Sequence, residues 1–276
     1  MSSLKDKVIV VTGAGGVLCS MFAKEAAKQG AKVALLDLNV NAAQAAADEI
    51  TQTGGCAKGY EANVLQKESL QKAHEQILAD FGKCDILING AGGNHPKATT
   101  TKEYFEEGDI EAQDVISFFD LEPENVGFVF NLNFLGTLLP TQVFAPDMLG
   151  KGTILNIASM NAYRPLTKIP AYSGAKAAIV NFTQWLAVHF AKNGIRVNAM
   201  APGFFVTNQN RGLLFDEQGN PTARTKKILD HTPMGRFGEP EDLLGTLNFL
   251  LDDNASAFVT GVTIPVDGGF AAYSGV

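Results

Sequence analysis

Cysteine is scarce in this chain, and charge is not abundant. Three cysteines stand among 276 residues: Cys19, Cys56 and Cys84. Their number is odd and their spacing fits neither a disulfide framework nor a metal knot. They read as reduced thiols, and a cytoplasmic location is expected. Charged residues make up 18%, and no basic stripe marks a nucleic-acid partner. His74, His189 and His231 are not at metal-like spacing, so no metal site is expected. No uninterrupted apolar run approaches ~18 residues, so no membrane span is expected. The opening MSSLKDKVIVVTG lacks the apolar stretch of a signal peptide. The net charge is −7. That mild acidity leaves the charge of a small substrate open, because local cations override it.

What is present is apolar mass enough for a large core, 46% of residues. Short apolar runs at 8–11, 32–36, 57–62, 85–88, 153–157, 195–199 and 262–266 predict strands. Helical spacing covers 17–29, 41–53, 66–80 and 171–192, with Gly30, Gly54-Gly55 and Asn193-Gly194 as stops. Strands alternating with helices predict an α/β fold: a single Rossmann-like, doubly wound parallel sheet with helices on both faces. No flexible linker or repeat divides the chain, so one domain over 1–276 is expected. Two polar, turn-rich stretches interrupt the alternation, near 93–125 and 203–231. Both follow strand C-termini, where such sheets bind ligands, and both read as substrate loops.

The chemistry begins with Tyr172 and Lys176. Four apart on a helix, they share a face, so the ammonium can lie beside the phenol. A free tyrosine has a pKa of about 10 and is a poor base near neutrality. A neighbouring cation favours the phenolate. Ser159, from a nearby strand end, could hold a substrate oxygen while the phenol exchanges its proton, and Asn133 lies further upstream. This set suits alcohol–carbonyl interconversion, which also needs a hydride carrier.

The first strand ends in Thr12-Gly13-Ala14-Gly15-Gly16. Glycines there let backbone approach a pyrophosphate at a helix N-terminus. Asp37 ends the second strand, where a carboxylate can accept hydrogen bonds from adenosine ribose hydroxyls. It also repels a 2′-phosphate, and Leu38 and Asn39 supply no compensating cation. NAD is therefore favoured over NADP.

Together these residues resemble the short-chain dehydrogenase/reductase superfamily, over nearly the whole chain. Asn89-Gly90-Ala91-Gly92 is similar to its strand-end motif with one change. Asn133-Phe134-Leu135-Gly136, Ser159, Tyr172-Ser-Gly-Ala-Lys176, Pro202-Gly203 and Val266-Asp267-Gly268-Gly269 follow in the family's order. The chain departs from the family's glycine turn: Val17 and Cys19 take the second and third glycine places, and Gly15-Gly16 could make the close approach instead. The resemblance implies a catalytic set of Asn133, Ser159, Tyr172 and Lys176. Tyr172 would be the acid in reduction and the base in oxidation. Lys176 would lower its pKa and bind nicotinamide ribose, and Asn133 would help hold a water. It implies cofactor contacts at Gly13, Gly15, Gly16, Val17, Leu18, Asp37, Asn63, Val64, Asn89, Ala91, Gly92, Tyr172, Lys176, Pro202 and Gly203. It also implies a homo-oligomer, usually a tetramer, built on the Tyr172 and Asn133 helices.

The loops narrow the resemblance to sugar-acid dehydrogenases. Asn94-His95-Pro96-Lys97-Ala98-Thr99-Thr100, Ser159-Met160-Asn161-Ala162-Tyr163-Arg164-Pro165 and Pro202-Gly203-Phe204-Phe205 are similar to the short-chain type of D-mannonate oxidoreductase (fructuronate reductase), and gluconate 5-dehydrogenases share the scaffold. A sugar acid needs cations for its carboxylate and polar groups for its hydroxyls. Lys97, Arg164 and Arg211 are the candidate cations, with Arg164 first because it follows Ser159 within one loop. Asn94, His95, Asn161 and Asn208 could serve hydroxyls, and Phe204 reads as pocket wall. A non-catalytic dinucleotide-binding regulator is the competing class, and the intact four-residue set argues against it.

Overall fold

The computed structural model describes residues 4–206 and 211–275. Seven strands form one sheet: β1 (Val8–Thr12), β2 (Lys32–Asp37), β3 (Cys56–Glu61), β4 (Ile86–Asn89), β5 (Gly152–Ile157), β6 (Ile195–Pro202) and β7 (Thr263–Val266). Their order is β3-β2-β1-β4-β5-β6-β7, and each neighbouring pair is parallel. The predicted strands are all found. β6 runs on to Pro202, because Ala199–Pro202 pair with Thr263–Val266 of β7.

The five inner strands are buried on both faces, which explains their continuous apolar runs, whereas the edge strands β3 and β7 are partly exposed. Ile9 and Val11 of β1, Val33 and Leu35 of β2, and Ile86 and Ile88 of β4 pack into one core. The residues between them, Val10, Ala34 and Leu87, pack into a second core on the opposite face. That is the period-two alternation of a strand expressed as two separate cores. Helices α1 (Val17–Lys28) and α9 (Leu244–Leu251) contribute to the first core, with α2 (Val40–Gln52). α3 (Lys67–Asp80), α5 (Gly136–Phe144) and α6 (Pro170–Phe190) contribute to the second.

α4 (Pro123–Phe130) runs into α5 through a π-helical turn at Asn131–Leu135. The helical stretch Pro123–Met148 is long and apolar enough to cross a membrane by composition alone, and half of its most apolar window is buried inside this fold. The 203–231 stretch is less irregular than its sequence suggests. It holds α7 (Arg211–Leu214) and α8 (Ala223–Asp230). α8 escapes a periodicity reading because Ile228 and Leu229 are its only large apolar residues; Thr222 starts it by accepting from Thr225 N. α9 is apolar almost throughout, so its sequence does not separate helix from strand.

The chain builds β1, β2 and β3 outward in one direction, returns to the other side of β1 as β4, and continues to β7. The reversal between β1 and β4 is the topological switch point, where the loops on either side diverge and leave a crevice. The glycine turn after β1 and the Asn89–Gly92 turn after β4 meet there. Ser159 follows β5, and Pro202-Gly203 closes β6.

Candidate active site

The glycine turn has the shape of an anion cradle. Gly13 has φ +66°, and a Cβ on it would meet Ala91 Cα at 2.8 Å. A Cβ on Gly15 would meet Ala42 Cβ at 2.8 Å and Asp37 Oδ2 at 3.0 Å. Gly16 is the N-cap of α1 and has no side chain to cap it. The first-turn N–H groups of α1, at Val17 and Leu18, are therefore free for an anion. Thr12 is fully buried and ties the two turns together, its Oγ1 accepting from Gly90 N (3.1 Å) and Ala91 N (3.2 Å).

Cys19 in the glycine turn and Gly90, the one change in the strand-end motif, form a single packing solution. Cys19, in the third glycine place, is buried, and a Cβ on Gly90 would overlap its Sγ. The side chain gained at 19 occupies the space left vacant at 90. Burial pushes the Cys19 thiol up to about 12, so it is inert packing.

Asp37 serves the turn as well as any ligand. Its Oδ2 accepts from Gly15 N and its Oδ1 from Asn39 N, each at 2.9 Å. A carboxylate has about four acceptor positions, so both oxygens keep capacity for ribose hydroxyls. Leu38 beside it is 70% exposed. Asn63 Oδ1 accepts from Leu65 N at 3.0 Å, which leaves the amide donors for a base edge. Val64 is buried, and a Cβ on Gly136 would meet it at 3.1 Å. Gly203 sits against Asp267, with its N–H donating to Val266 O at 2.9 Å.

Asn89 turns its side chain inward. Its side chain is buried, and its amide donates to Thr141 Oγ1 (3.1 Å) and Asn156 Oδ1 (2.9 Å). Asn156 in turn donates to Thr183 Oγ1 at 2.9 Å. Asn89 thus braces β4 against β5 and α5 through its side chain, and any ligand contact it makes is through backbone.

The four predicted catalytic residues come together at the crevice. Asn133 lies in the π turn, and the wider winding aims its amide at the loop after β4. It donates to Gly93 O and Val129 O, each at 2.8 Å, and accepts from Gly93 N at 3.3 Å. Lys176 Nζ donates to Ile157 O at 2.8 Å. Both Asn133 Oδ1 and Lys176 Nζ crowd Gly92, where a Cβ would meet them at 2.6 and 3.2 Å. Ser159 Oγ accepts from Asn161 N at 3.2 Å and is hydrogen-bonded to the Tyr172 hydroxyl.

Charge is held here under tension. Lys176 is 4% exposed, and burial presses its pKa down to about 8. Burial pushes the Tyr172 phenol up, and the Ser159 hydrogen bond pulls it partly back. Lys176 Nζ stands 5.6 Å from the Tyr172 ring centroid, and burial dominates both groups.

The substrate residues fare unevenly. Asn161 is buried with its Oδ1 unpartnered, while its N–H donates to Ser159 Oγ. Phe204 stacks edge-on with Phe270, centroids 5.3 Å apart, and lines a cavity. Asn94 bonds Thr99 Oγ1 at 2.9 Å, and His95 accepts from Lys97 N at 3.3 Å. Those side chains order their own loop. Lys97 is exposed. Arg211 lies over the Phe215 ring at 5.6 Å. Arg164, ranked first, donates its Nε to Ala271 O at 3.1 Å and so anchors the C-terminal segment. Asn208 lies outside the described residues. Sequence reasoning missed the residues that line the Phe204 cavity with charge: Glu103, Lys168, Arg224 and Lys227. They come from three separate segments, and no local spacing links them. No cluster of metal-ligating side chains occurs among the described residues.

A family model described as enoyl-(acyl carrier protein) reductase matches residues 16–271. A Haemophilus influenzae protein described as an uncharacterized oxidoreductase is 64% identical, over 99% of this chain and 96% of its own length. A crystal structure of a candidate D-mannonate oxidoreductase from Haemophilus, with bound NAD, superposes with a TM-score of 0.96 at 63% identity. That match covers 100% of this chain and 98% of the other. The 2-dehydro-3-deoxy-D-gluconate 5-dehydrogenase of Escherichia coli is 32% identical, over 98% of this chain and 97% of its own length.

Proposed function

The chain is an oxidoreductase of the short-chain dehydrogenase/reductase family, and from that premise we propose that it interconverts D-fructuronate and D-mannonate with NAD(H). The observation that carries the reading is the convergence of Ser159, Tyr172, Lys176 and Asn133 on the crevice beside the glycine cradle. The relatives favour a sugar acid as substrate, since one is a candidate D-mannonate oxidoreductase and another a deoxygluconate dehydrogenase. The NAD bound in the Haemophilus structure and the position of Asp37 at the end of β2 favour NAD.

NAD, when bound, supplies or accepts the hydride. Gly13, Gly15, Gly16 and the first turn of α1 would hold its pyrophosphate, Asp37 its adenosine ribose, and Lys176 its nicotinamide ribose. The rest falls to the chain's own groups. Ser159 Oγ–H donates to the substrate oxygen and fixes it beside the phenol. Tyr172 gives that oxygen its proton in reduction and takes it back in oxidation. The Lys176 ammonium stabilises the phenolate form, with an attraction strengthened by the site's low dielectric. Asn133 holds the Gly92–Gly93 backbone in place alongside Lys176. Trp185 (55% exposed) and Val188 (80% exposed) leave an apolar face on α6 that supports assembly into a homo-oligomer, as a tetramer in the cytoplasm.

The test is NADH oxidation by purified protein on D-fructuronate, a 5-keto-gluconate and an uncharged ketose. The highest kcat/KM is expected on D-fructuronate. Preference for the 5-keto acid would move the assignment to a gluconate 5-dehydrogenase. NADH binding without turnover on any substrate would make the chain a dinucleotide-binding regulator.

A further inference from the structure

A cavity of ≈ 600 Å³ opens between residues 165–169 and α8. Residues 165–169 join the Ser159 loop to the helix that carries Tyr172, so the cavity wall and the catalytic set share one stretch of chain. Phe204 and Phe270 form an aromatic wall. Lys168, Arg224, Lys227 and His231 line the same cavity, with Glu103 as the acid among them. Lys227 Nζ bonds both Glu103 oxygens, at 2.9 and 3.0 Å. That pair clasps one substrate loop to the other across the cavity. The Lys227 hydrogen bonds hold the Glu103 carboxyl below its usual range, and Lys168 and Arg224 add to the effect from further away. Three cations therefore surround one carboxylate. Lys168 and Arg224 have no ion pair of their own among the described residues.

A cavity with two uncommitted cations and an aromatic wall is suited to a ligand with an anionic end and a carbon chain. None of the cations first suspected from the sequence lines this cavity: Arg164 Nε donates to Ala271 O, Arg211 lies over Phe215, and Lys97 is exposed on its own loop. We infer that this cavity binds the substrate carboxylate, with Arg224 and Lys168 as its partners and the carbon chain lying against Phe204 and Phe270. The inference rests on the reading of the chain as a sugar-acid dehydrogenase. Arg224 offers a planar fork that matches a carboxylate, and Lys168 a point charge. Both are specificity-determining residues and take no part in the proton transfer.

The experiment compares wild type with Arg224→Met, Lys168→Met and the double variant. NADH affinity, measured by fluorescence, reports that the fold and cofactor site are intact; Arg224→Gln and Lys168→Gln replace any methionine variant that fails this check. KM and kcat are then measured on D-fructuronate and on an uncharged ketose. Loss of one charge-assisted bond should raise KM for the acid about tenfold or more. The double variant should lose more, with kcat changed less and the neutral ketose unaffected. An unchanged acid KM in the double variant, or equal rises on acid and ketose, would overturn the inference. If wild type ignores D-fructuronate but uses another sugar acid, the substrate assignment fails, and the same variants on that acid decide the cavity. A wild type that uses only uncharged substrates overturns both.

Discussion

The two ends of the sheet treat buried charge in opposite ways. At the N-terminal ends of the strands, Asp253 gathers Lys7 at 2.6 Å, Lys151 at 3.2 Å and Arg196 at 3.3 Å. Burial pushes the Asp253 carboxyl up, and Lys7, Lys151 and Arg196 more than offset it, so the group stays ionised to lower pH. Arg196 also donates to Thr153 Oγ1 and to Leu250 O. At the C-terminal ends, Lys176 is more deeply buried, and its hydrogen bond goes to a neutral carbonyl. Among the described residues the acidic group acting on it is the Cys19 thiol, which burial holds protonated at neutral pH. One end satisfies its charges and fastens the fold. The other keeps a charge in need of a partner, a condition that suits a proton-transfer site and costs stability.

The largest expected effect lies at the unsatisfied end. Tyr172→Phe keeps the ring in its packing and removes the transferable proton. Turnover should fall by about 10²–10⁴-fold, with NADH affinity and Tm nearly unchanged. Near-wild-type turnover would take Tyr172 out of the chemistry.

At the satisfied end the effect should fall on stability alone. Asp253→Asn leaves Lys7 and Arg196 without their carboxylate and should cost about 1–2 kcal/mol, a figure reduced for solvent screening. The pH dependence has a definite sign. A carboxyl with a lowered folded pKa contributes stability above its unfolded value, and the contribution is lost as pH falls through the folded one. Acid unfolding followed by circular dichroism should therefore show a smaller loss below pH ~4 in Asp253→Asn than in wild type. A drop in turnover at neutral pH without a change in Tm would dissolve the division between the two ends.

Gly90→Ala probes the joint between the glycine turn and β4. Its new Cβ would overlap Cys19 Sγ and approach Thr12 O at 2.9 Å. Overpacking of this kind costs about 1–3 kcal/mol. Adding Cys19→Gly should recover part of it, because the Thr12 contact remains. Additive losses in a denaturation cycle would show that the two positions are not coupled.

The smallest change expected is in cofactor choice. Asp37→Ala with Leu38→Arg removes the repulsion of a 2′-phosphate and offers it a cation from an exposed position. The ratio of kcat/KM for NADP to that for NAD should rise. Because Asp37 also holds Gly15 and Asn39, some loss with both cofactors is expected too.

The fold was legible because its signals are local. Each β-branched run ends in a glycine or a polar turn, and the helices at 17–28, 40–52, 67–80 and 170–190 carry their period and their stop; the helical stretch Pro123–Met148 has no such period and was not read. Tyr172 and Lys176 were legible for the same reason, since a helix converts a spacing of four into a shared face. The rest depends on contacts between segments distant in sequence. Cys19 departs from the glycine turn, and only the tertiary fold shows that Gly90 leaves room for its side chain. Arg164 was favoured for its closeness to Ser159 in the chain, whereas its guanidinium turns to Ala271. Lys168, four residues further on, meets Arg224 and Glu103 only through the tertiary fold, and α8, which carries Arg224, has too little apolar periodicity to be read.

The contrast between the two ends is tested most directly by Lys176→Met, with thermal stability and turnover measured on the same preparation. A lysine whose folded pKa is lowered to about 8 binds its proton less tightly than the unfolded chain does. Stability therefore rises with pH between about 8 and 10.5, and below 8 the buried ammonium costs on the order of 3 kcal/mol. Methionine fills a similar volume without that charge. The expected result is a higher Tm at pH 7, a flattened stability profile between pH 8 and 10.5, and turnover reduced by two orders of magnitude or more, roughly the scale of acid–base catalysis. A lower Tm together with retained turnover would contradict the account, making Lys176 a structural cation and leaving the phenol of Tyr172 without its partner.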